Sequence, residues 1–202
     1  MILEIRVNKT LEYYDKNAKE FSAGTLNVDF TETQEKFLNY IATGAYILDF
    51  GCGAGRDTKY FLEKGYRVDA VDGSEELCQI ASANTGIKVR RMVFQELDAI
   101  EKYDAIWACS SILHLDKTEL KSVLRKMLKA LKPTGVIYTS FKYGDFEGER
   151  NGRYFTNFTE ENFKVYIQDI HGVKIEEYWI TGDVRAGRGD EKWLNLIMRK
   201  IR

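Results

Sequence analysis

Proline is almost missing from this chain, with Pro133 as the single example. A polyproline segment or a Pro-rich linker is thereby excluded. Cysteine is also scarce. Cys52, Cys78 and Cys109 are far apart, odd in number and form no CxxC pair. That argues against a disulfide framework and against a metal site, and it points to a reducing cytoplasmic setting. There are only two histidines, His114 and His171. No apolar run approaches the ~18 residues that a membrane-spanning helix needs. The opening MILEIRVNKTLEYY carries Glu4 and Arg6 within its apolar stretch and lacks a small-residue cleavage site, so it does not read as a signal peptide. Charge of one sign is lacking too: 30 Lys and Arg stand against 31 Asp and Glu. No general basic field for nucleic acid or for an anionic membrane follows from that balance.

What is present is a chain of 202 residues, long enough for a sizeable core. It reads as one domain, with a helical cap over 1–43 and an α/β core over 44–202. In the cap, TLEYYDKNAKEF and TETQEKFLNYIA place apolar residues at helical spacing, and Gly24 is expected to separate two helices. After that, strand and helix signals alternate. YILDF, YRVDAVD, KVRRMVF, YDAIWACSS and GVIYTSF read as five strands. DTKYFLEK, EELCQIASAN behind Ser74, and DKTELKSVLRKMLKALKP read as helices, the last one stopped by Pro133. The tail reads as helix, strand, strand. Such alternation predicts a mostly parallel sheet with helices on both faces, whose ligands sit beyond the carboxyl ends of the strands.

The stretch ILDFGCGAGRD sharpens this. A first strand runs into Gly51, Gly53 and Gly55, then into a helix. Glycines at such a turn permit unusual backbone angles and close approach, and the helix start that follows favours an anionic group. A dinucleotide fingerprint needs glycine where Arg56 stands, and the P-loop pattern is also unmet. Asp72 closes the second strand, where an acid accepts both hydroxyls of a ribose. The combination suits a nucleoside joined to a free carboxylate rather than to a pyrophosphate.

Taken in order, ILDFGCGAGRD, VDAVDGSEE, YDAIWACSSILHL and ALKPTGVIYTSF resemble the successive motifs of the class I S-adenosylmethionine-dependent methyltransferases. The likeness covers roughly residues 13–141. GRDTKYF and the leading YYDKNAKEF look closest to the small single-domain branch that includes tellurite-resistance-type methyltransferases. The resemblance implies a Rossmann-like α/β fold, a seven-stranded sheet and S-adenosyl-L-methionine as cofactor. It implies that the loop with Gly51, Cys52, Gly53 and Gly55 approaches the methionine part. Asp72, with Gly73 and Ser74, would take the ribose, and Phe94 would flank the adenine. Either Gln95 or Glu96 would read the adenine amino group, and the residues leave that choice open. Asp49 would receive loop amides, and Arg56 would pair with the methionyl carboxylate. Ala108 and Cys109 complete the cofactor set, and Tyr14 would close over the sulfonium.

For the acceptor, His114 follows the fourth strand, as a general base or as a histidine that caps a turn. Lys142, Tyr143, Arg153, Arg185 and Arg188 fall in segments that follow strand ends. FKYGDFEGERNGRYF and DVRAGRG are read as binding loops because they join glycine with basic residues, and the first with aromatics as well. The expected activity is in-line methyl transfer to a small anionic or polar acceptor, with no metal. Two alternatives stand beside it. One is an RNA or nucleotide methyltransferase, for which Arg185, Arg188, Lys192, Arg199, Lys200 and Arg202 form a basic tail. The other is a non-catalytic cofactor-binding protein.

Overall fold

A computed structural model of the chain describes residues 2–185 and 187–201, with backbone alone at residues 2–8. In chain order the elements are α1 (Ile2–Thr25), α2 (Thr31–Leu38), β1 (Tyr46–Phe50), α3 (Arg56–Glu63), β2 (Arg67–Asp72), α4 (Glu75–Thr85) and β3 (Arg90–Arg91). They continue with β4 (Tyr103–Ala108), α5 (Lys117–Ala130), β5 (Leu131–Lys142), β6 (Glu147–Arg150), β7 (Arg153–Thr156), α6 (Glu160–Ile167), β8 (Val173–Gly182) and β9 (Lys192–Lys200). Seven strands form one sheet in the order β3-β2-β1-β4-β5-β9-β8. The first five are parallel, and β9 runs antiparallel to both β5 and β8. The strand order reverses between β1 and β4, so their carboxyl ends open a crevice.

Alternation along the strands divides the core between the two faces. On β4, Ala105 and Trp107 pack with Phe37 of α2 and Phe61 of α3. Ile106 and Ala108 face the other way, toward Leu120, Val123, Leu124 and Met127 of α5. That apolar stripe of α5 has the spacing expected of it. Asp116 caps the helix by accepting from the backbone N–H groups of Thr118 and Glu119.

Three expectations about elements need correction. Gly24 does not separate two helices: α1 runs through it to Thr25, and the break comes after Leu26. Glycine costs a helix only about 1 kcal/mol, which the rest of a 24-residue helix can absorb. KVRRMVF yields a strand of only two residues, and Phe94–Glu96 turns into a short 3-10 helix. Met92 N–H bonds the Asp72 carbonyl, after which no neighbouring strand remains to extend the ladder. The segment read as a binding loop after β5 is a hairpin, β6–β7, turned by Asn151 and Gly152 at φ +50° and +75°. Asn-Gly is a strong hairpin-turn signal.

Candidate functional site

The carboxyl ends of β1, β2, β4 and β5 form one wall of a long cavity, and α1 covers it with Thr10, Leu11, Tyr14 and Phe21. Ser74 fixes that cover. Its hydroxyl donates to Asp15 of α1 at 2.5 Å, while its oxygen caps α4 by accepting from Leu77 N–H.

The glycine turn bends as expected, with Gly51 at φ +88° and Gly55 at φ +87°. What presses on these two glycines is protein. A Cβ on Gly51 would lie 2.4 Å from the Ser111 Cβ, and one on Gly55 would lie 2.7 Å from Thr85 Cγ2 of α4. Gly51 and Gly53 face the cavity. Asp72 ties the turn to β2: its carboxylate accepts from Gly53 N–H at 2.8 Å and from Ser74 N–H at 2.9 Å. Burial raises its pKa, and these amides pull it back down.

Below the turn lies a buried polar cluster that the sequence reading did not assemble. Asp57 accepts from Gln34 Nε2 at 2.7 Å, Trp107 Nε1 at 2.8 Å, and Arg56 Nε and Nη2 at 2.8 and 2.9 Å. The Arg56 guanidinium also lies 4.5 Å over the Phe30 ring. Burial opposes its charge, and Asp57 more than offsets that. Arg56, expected to pair with the methionyl carboxylate, borders the cavity while its Nε and Nη2 hold Asp57. The expectation for Asp49 is corrected. Its partner is the Thr58 hydroxyl at 2.5 Å, and the loop amide goes to Asp72 instead. Burial, and then the charge of Asp57, raise the Asp49 pKa well above the usual range.

At the other end, the Tyr14 oxygen lies 2.8 Å from His114 Nε2, and His114 Nδ1 lies 2.6 Å from the Tyr154 carbonyl. A carbonyl only accepts, so Nδ1 carries the hydrogen and Tyr14 donates to Nε2. Burial lowers the His114 pKa to about 4. The Tyr154 carbonyl opposes this, and Arg153 and Lys142 add to it. His114 is therefore neutral at pH 7 and reaches a ligand through the Tyr14 hydroxyl. Burial raises the Tyr14 pKa, against the pull of Arg153. Lys142 pairs with Glu191, and Arg185 Nε bonds Asp183 at 2.9 Å. Trp193 Nε1 donates to the same Asp183 at 3.2 Å.

Most of the expected residues come together around this cavity. Tyr14, Cys52, Asp72, Gly73, Phe94 and Gln95 border it, as do Cys109, His114, Lys142, Arg153, Arg185 and Arg188. Gln95 faces it and Glu96 does not: Glu96 bonds back to Val93 N–H, while Gln95 also reaches Glu119. Asp49, Gly55, Ser74, Ala108 and Tyr143 lie outside the wall. Ser74 and Ala108 are fully buried, and the Tyr143 hydroxyl turns to Glu160 of α6. Burial pushes the Cys109 thiol up to about 12, which leaves it inert as a nucleophile. His171 is exposed, away from the wall. Missed entirely were Leu11, Phe21, Ser111 and Asn195 of the wall. Leu11 and Phe21 lie on the helical stripe of Tyr14, whose i−3 and i+7 positions they occupy, and that periodicity was their only signal.

Comparison with known proteins agrees with this geometry. Residues 47–135 match the model of a methyltransferase domain family. An uncharacterized methyltransferase of Staphylococcus carnosus is 25% identical over 81% of this chain and 87% of its own length. Among solved structures, a Burkholderia thailandensis 1,6-didemethyltoxoflavin-N1-methyltransferase, with 1,6-didemethyltoxoflavin and S-adenosylhomocysteine bound, superposes with a TM-score of 0.76. It is 22% identical, over 97% of this chain and 88% of that one. TehB from Haemophilus influenzae has a TM-score of 0.68 and 20% identity, covering 89% of this chain and 65% of its own. At these identities the superpositions speak for the fold.

Proposed function

Because the chain belongs to the class I S-adenosylmethionine-dependent methyltransferases, we propose that it methylates a small, anionic or polar molecule held under α1. One observation carries this reading. A single cavity connects the glycine turn and Asp72 to Lys142, Arg153 and Arg185, so cofactor and acceptor would meet in one shared space. The cavity fits the cofactor chemically. Asp72 keeps its carboxylate at the wall, held by backbone amides, and a carboxylate has about four acceptor sites, so a lone pair remains for the ribose hydroxyls. Phe94 and Gln95 stand beyond it for a base, and Cys52 and Gly53 line the approach for the amino-acid part. When bound, S-adenosylmethionine supplies a sulfonium methyl as the electrophile.

The chain's own residues would position the acceptor and keep water out. Phe21, Leu11 and Tyr14 roof the cavity. A proton on the acceptor has one evident route, to the Tyr14 oxygen, with the Tyr14 hydrogen already directed at His114. The small-molecule reading is supported by the Burkholderia neighbour, which this chain covers almost end to end. The RNA reading loses support among the described residues of the basic tail, where Arg185, Arg199 and Lys200 pair with Asp183, Glu176 and Glu101, and Arg202 lies outside the described residues.

Labelled S-adenosylmethionine offered with thiols, oxyanions, small amines and bulk RNA tests the acceptor class. Label in an oxyanion or amine pool is the expected result, and label confined to RNA would overturn it. A melting assay tests the cofactor class. S-adenosylhomocysteine should raise the transition clearly and NAD should not, since ligand binding to the native state stabilises it by mass action.

A further inference from the structure

The cations at the acceptor end are not equivalent. Lys142 and Arg185 have carboxylates of their own, Glu191 and Asp183. Among the described residues Arg153 pairs with no carboxylate, and its Nε is buried without a hydrogen-bond partner. Three rings hold its guanidinium, with Tyr13 at 4.2 Å, Phe155 at 5.2 Å and Tyr14 at 5.7 Å. Ring faces attract the charge but satisfy no in-plane N–H, and the guanidinium's hydrogen bond to the Tyr14 oxygen leaves the Nε–H without a partner. Arg153 opens β7 directly after the Asn151–Gly152 turn, so its backbone is anchored by the hairpin ladder. A fixed, partly sheltered fork with an unused donor edge, bordering the cavity, suits a planar or tetrahedral oxyanion.

We propose, resting on the methyltransferase reading above, that Arg153 seats an anionic group of the acceptor, a carboxylate or a phosphate, beside the Tyr14 hydroxyl. Tyr14 has committed its hydrogen to His114. Arg153 takes one lone pair of its oxygen, and the one that remains receives an N–H or O–H of the acceptor. The acceptor therefore carries two features close together: an oxyanion for Arg153 and a protic nitrogen or oxygen for Tyr14. Occupying the seat also has an electrostatic consequence. The groups facing His114 are Tyr14 from α1, Arg153 and the Tyr154 carbonyl from β7, and Lys142 from β5, while Asp72 and Tyr13 act on Tyr14. A bound anion cancels the Arg153 charge and so raises the proton affinity of His114. An anionic acceptor would make the Tyr14–His114 pair a better proton sink than a neutral one does.

The test uses the full chain saturated with S-adenosylhomocysteine and three probes: benzoate, phenyl phosphate and the uncharged isostere benzamide. Calorimetry should show benzoate or phenyl phosphate binding at least tenfold tighter than benzamide, and the tighter of the two identifies the oxyanion. Arg153→Met should lose at least tenfold of that affinity while keeping its affinity for S-adenosylhomocysteine. Arg153→Lys, a milder change, should fall between. With only two histidines in the chain, nitrogen-15 spectra of the imidazoles resolve His114 from the exposed His171. Anion binding should move the His114 titration upward and leave His171 in place. Benzamide binding as well as the anions, neither anion binding, or anion affinity unchanged in both variants would overturn the seat while leaving the cofactor reading intact. Failure of the unaltered chain to bind S-adenosylhomocysteine would overturn both.

Discussion

At the β1–β2 end of the cavity the carboxylate on the wall is held by backbone amides, above a buried cluster that Gln34 and Trp107 join from other elements. Gly53 and Ser74 amides hold Asp72, and Arg56 holds its neighbour Asp57. At the β5–β7–β9 end side chains make most of the contacts, and several join residues far apart: Tyr14 to His114, His114 to Tyr154, Lys142 to Glu191. The first end stands on a parallel sheet whose strands are covered on both faces. The second is assembled from a covering helix, a two-stranded hairpin and the loop between two antiparallel strands. A cofactor shared across a family calls for a fixed receptor, and an acceptor that differs between members calls for parts that can change without disturbing the sheet.

If that contrast is right, the largest stability loss belongs to the cofactor end. Asp57→Ala leaves Arg56 without its counter-charge, and leaves Gln34 Nε2 and Trp107 Nε1 without their acceptor, in the buried cluster. Removing one partner of a buried ion pair costs about 3–5 kcal/mol. Urea unfolding of the variant should show a loss of that order. A loss under about 1 kcal/mol would mean that the cluster is wet and the two ends are alike.

A smaller effect separates binding from stability. Asp72→Ala removes the carboxylate assigned to the ribose, and should weaken S-adenosylhomocysteine by about 1–3 kcal/mol. Calorimetry of the folded variant measures it. Affinity within error of the unaltered chain would dissociate the cofactor from Asp72.

The same contrast explains what could be read before the structure. The glycine turn, Asp72, Gly73 and Phe94 lie in contiguous motifs, so their grouping was legible. The parallel sheet and the helix–strand–strand tail were legible from alternating periodicity. The Asp57 cluster was not, because Gln34, Asp57 and Trp107 come from three elements and no local pattern links them. The pairings of Arg56 and Lys142 were hidden for a related reason. A basic residue near a strand end looks the same in sequence whether it faces a ligand or, like Arg56, an internal carboxylate. Arg153 and Lys142 differ in that respect, and only packing distinguishes them.

The smallest expected effect tests the Tyr14–His114 contact through pH. In the folded chain His114 takes a proton only at about 4, against about 6.5 in an unfolded chain. Between those values the unfolded chain binds a proton that the folded chain refuses. The stability contributed by neutral His114 is therefore complete above about pH 6.5 and is lost as pH falls toward 4. His114→Gln removes this titration. At pH 7.5 the variant should be less stable by about 1 kcal/mol, the usual worth of an altered hydrogen bond. At pH 5 the gap should narrow or reverse, because only the unaltered chain pays for excluding the proton. The carboxyls of Asp49 and Asp72, raised by burial, titrate in both proteins and cancel in the difference. Urea midpoints at the two pH values give the comparison. An unchanged gap would show that the ring accepts a proton in place, so that Tyr14 does not hold Nε2 and the acceptor end lacks the neutral pair ascribed to it.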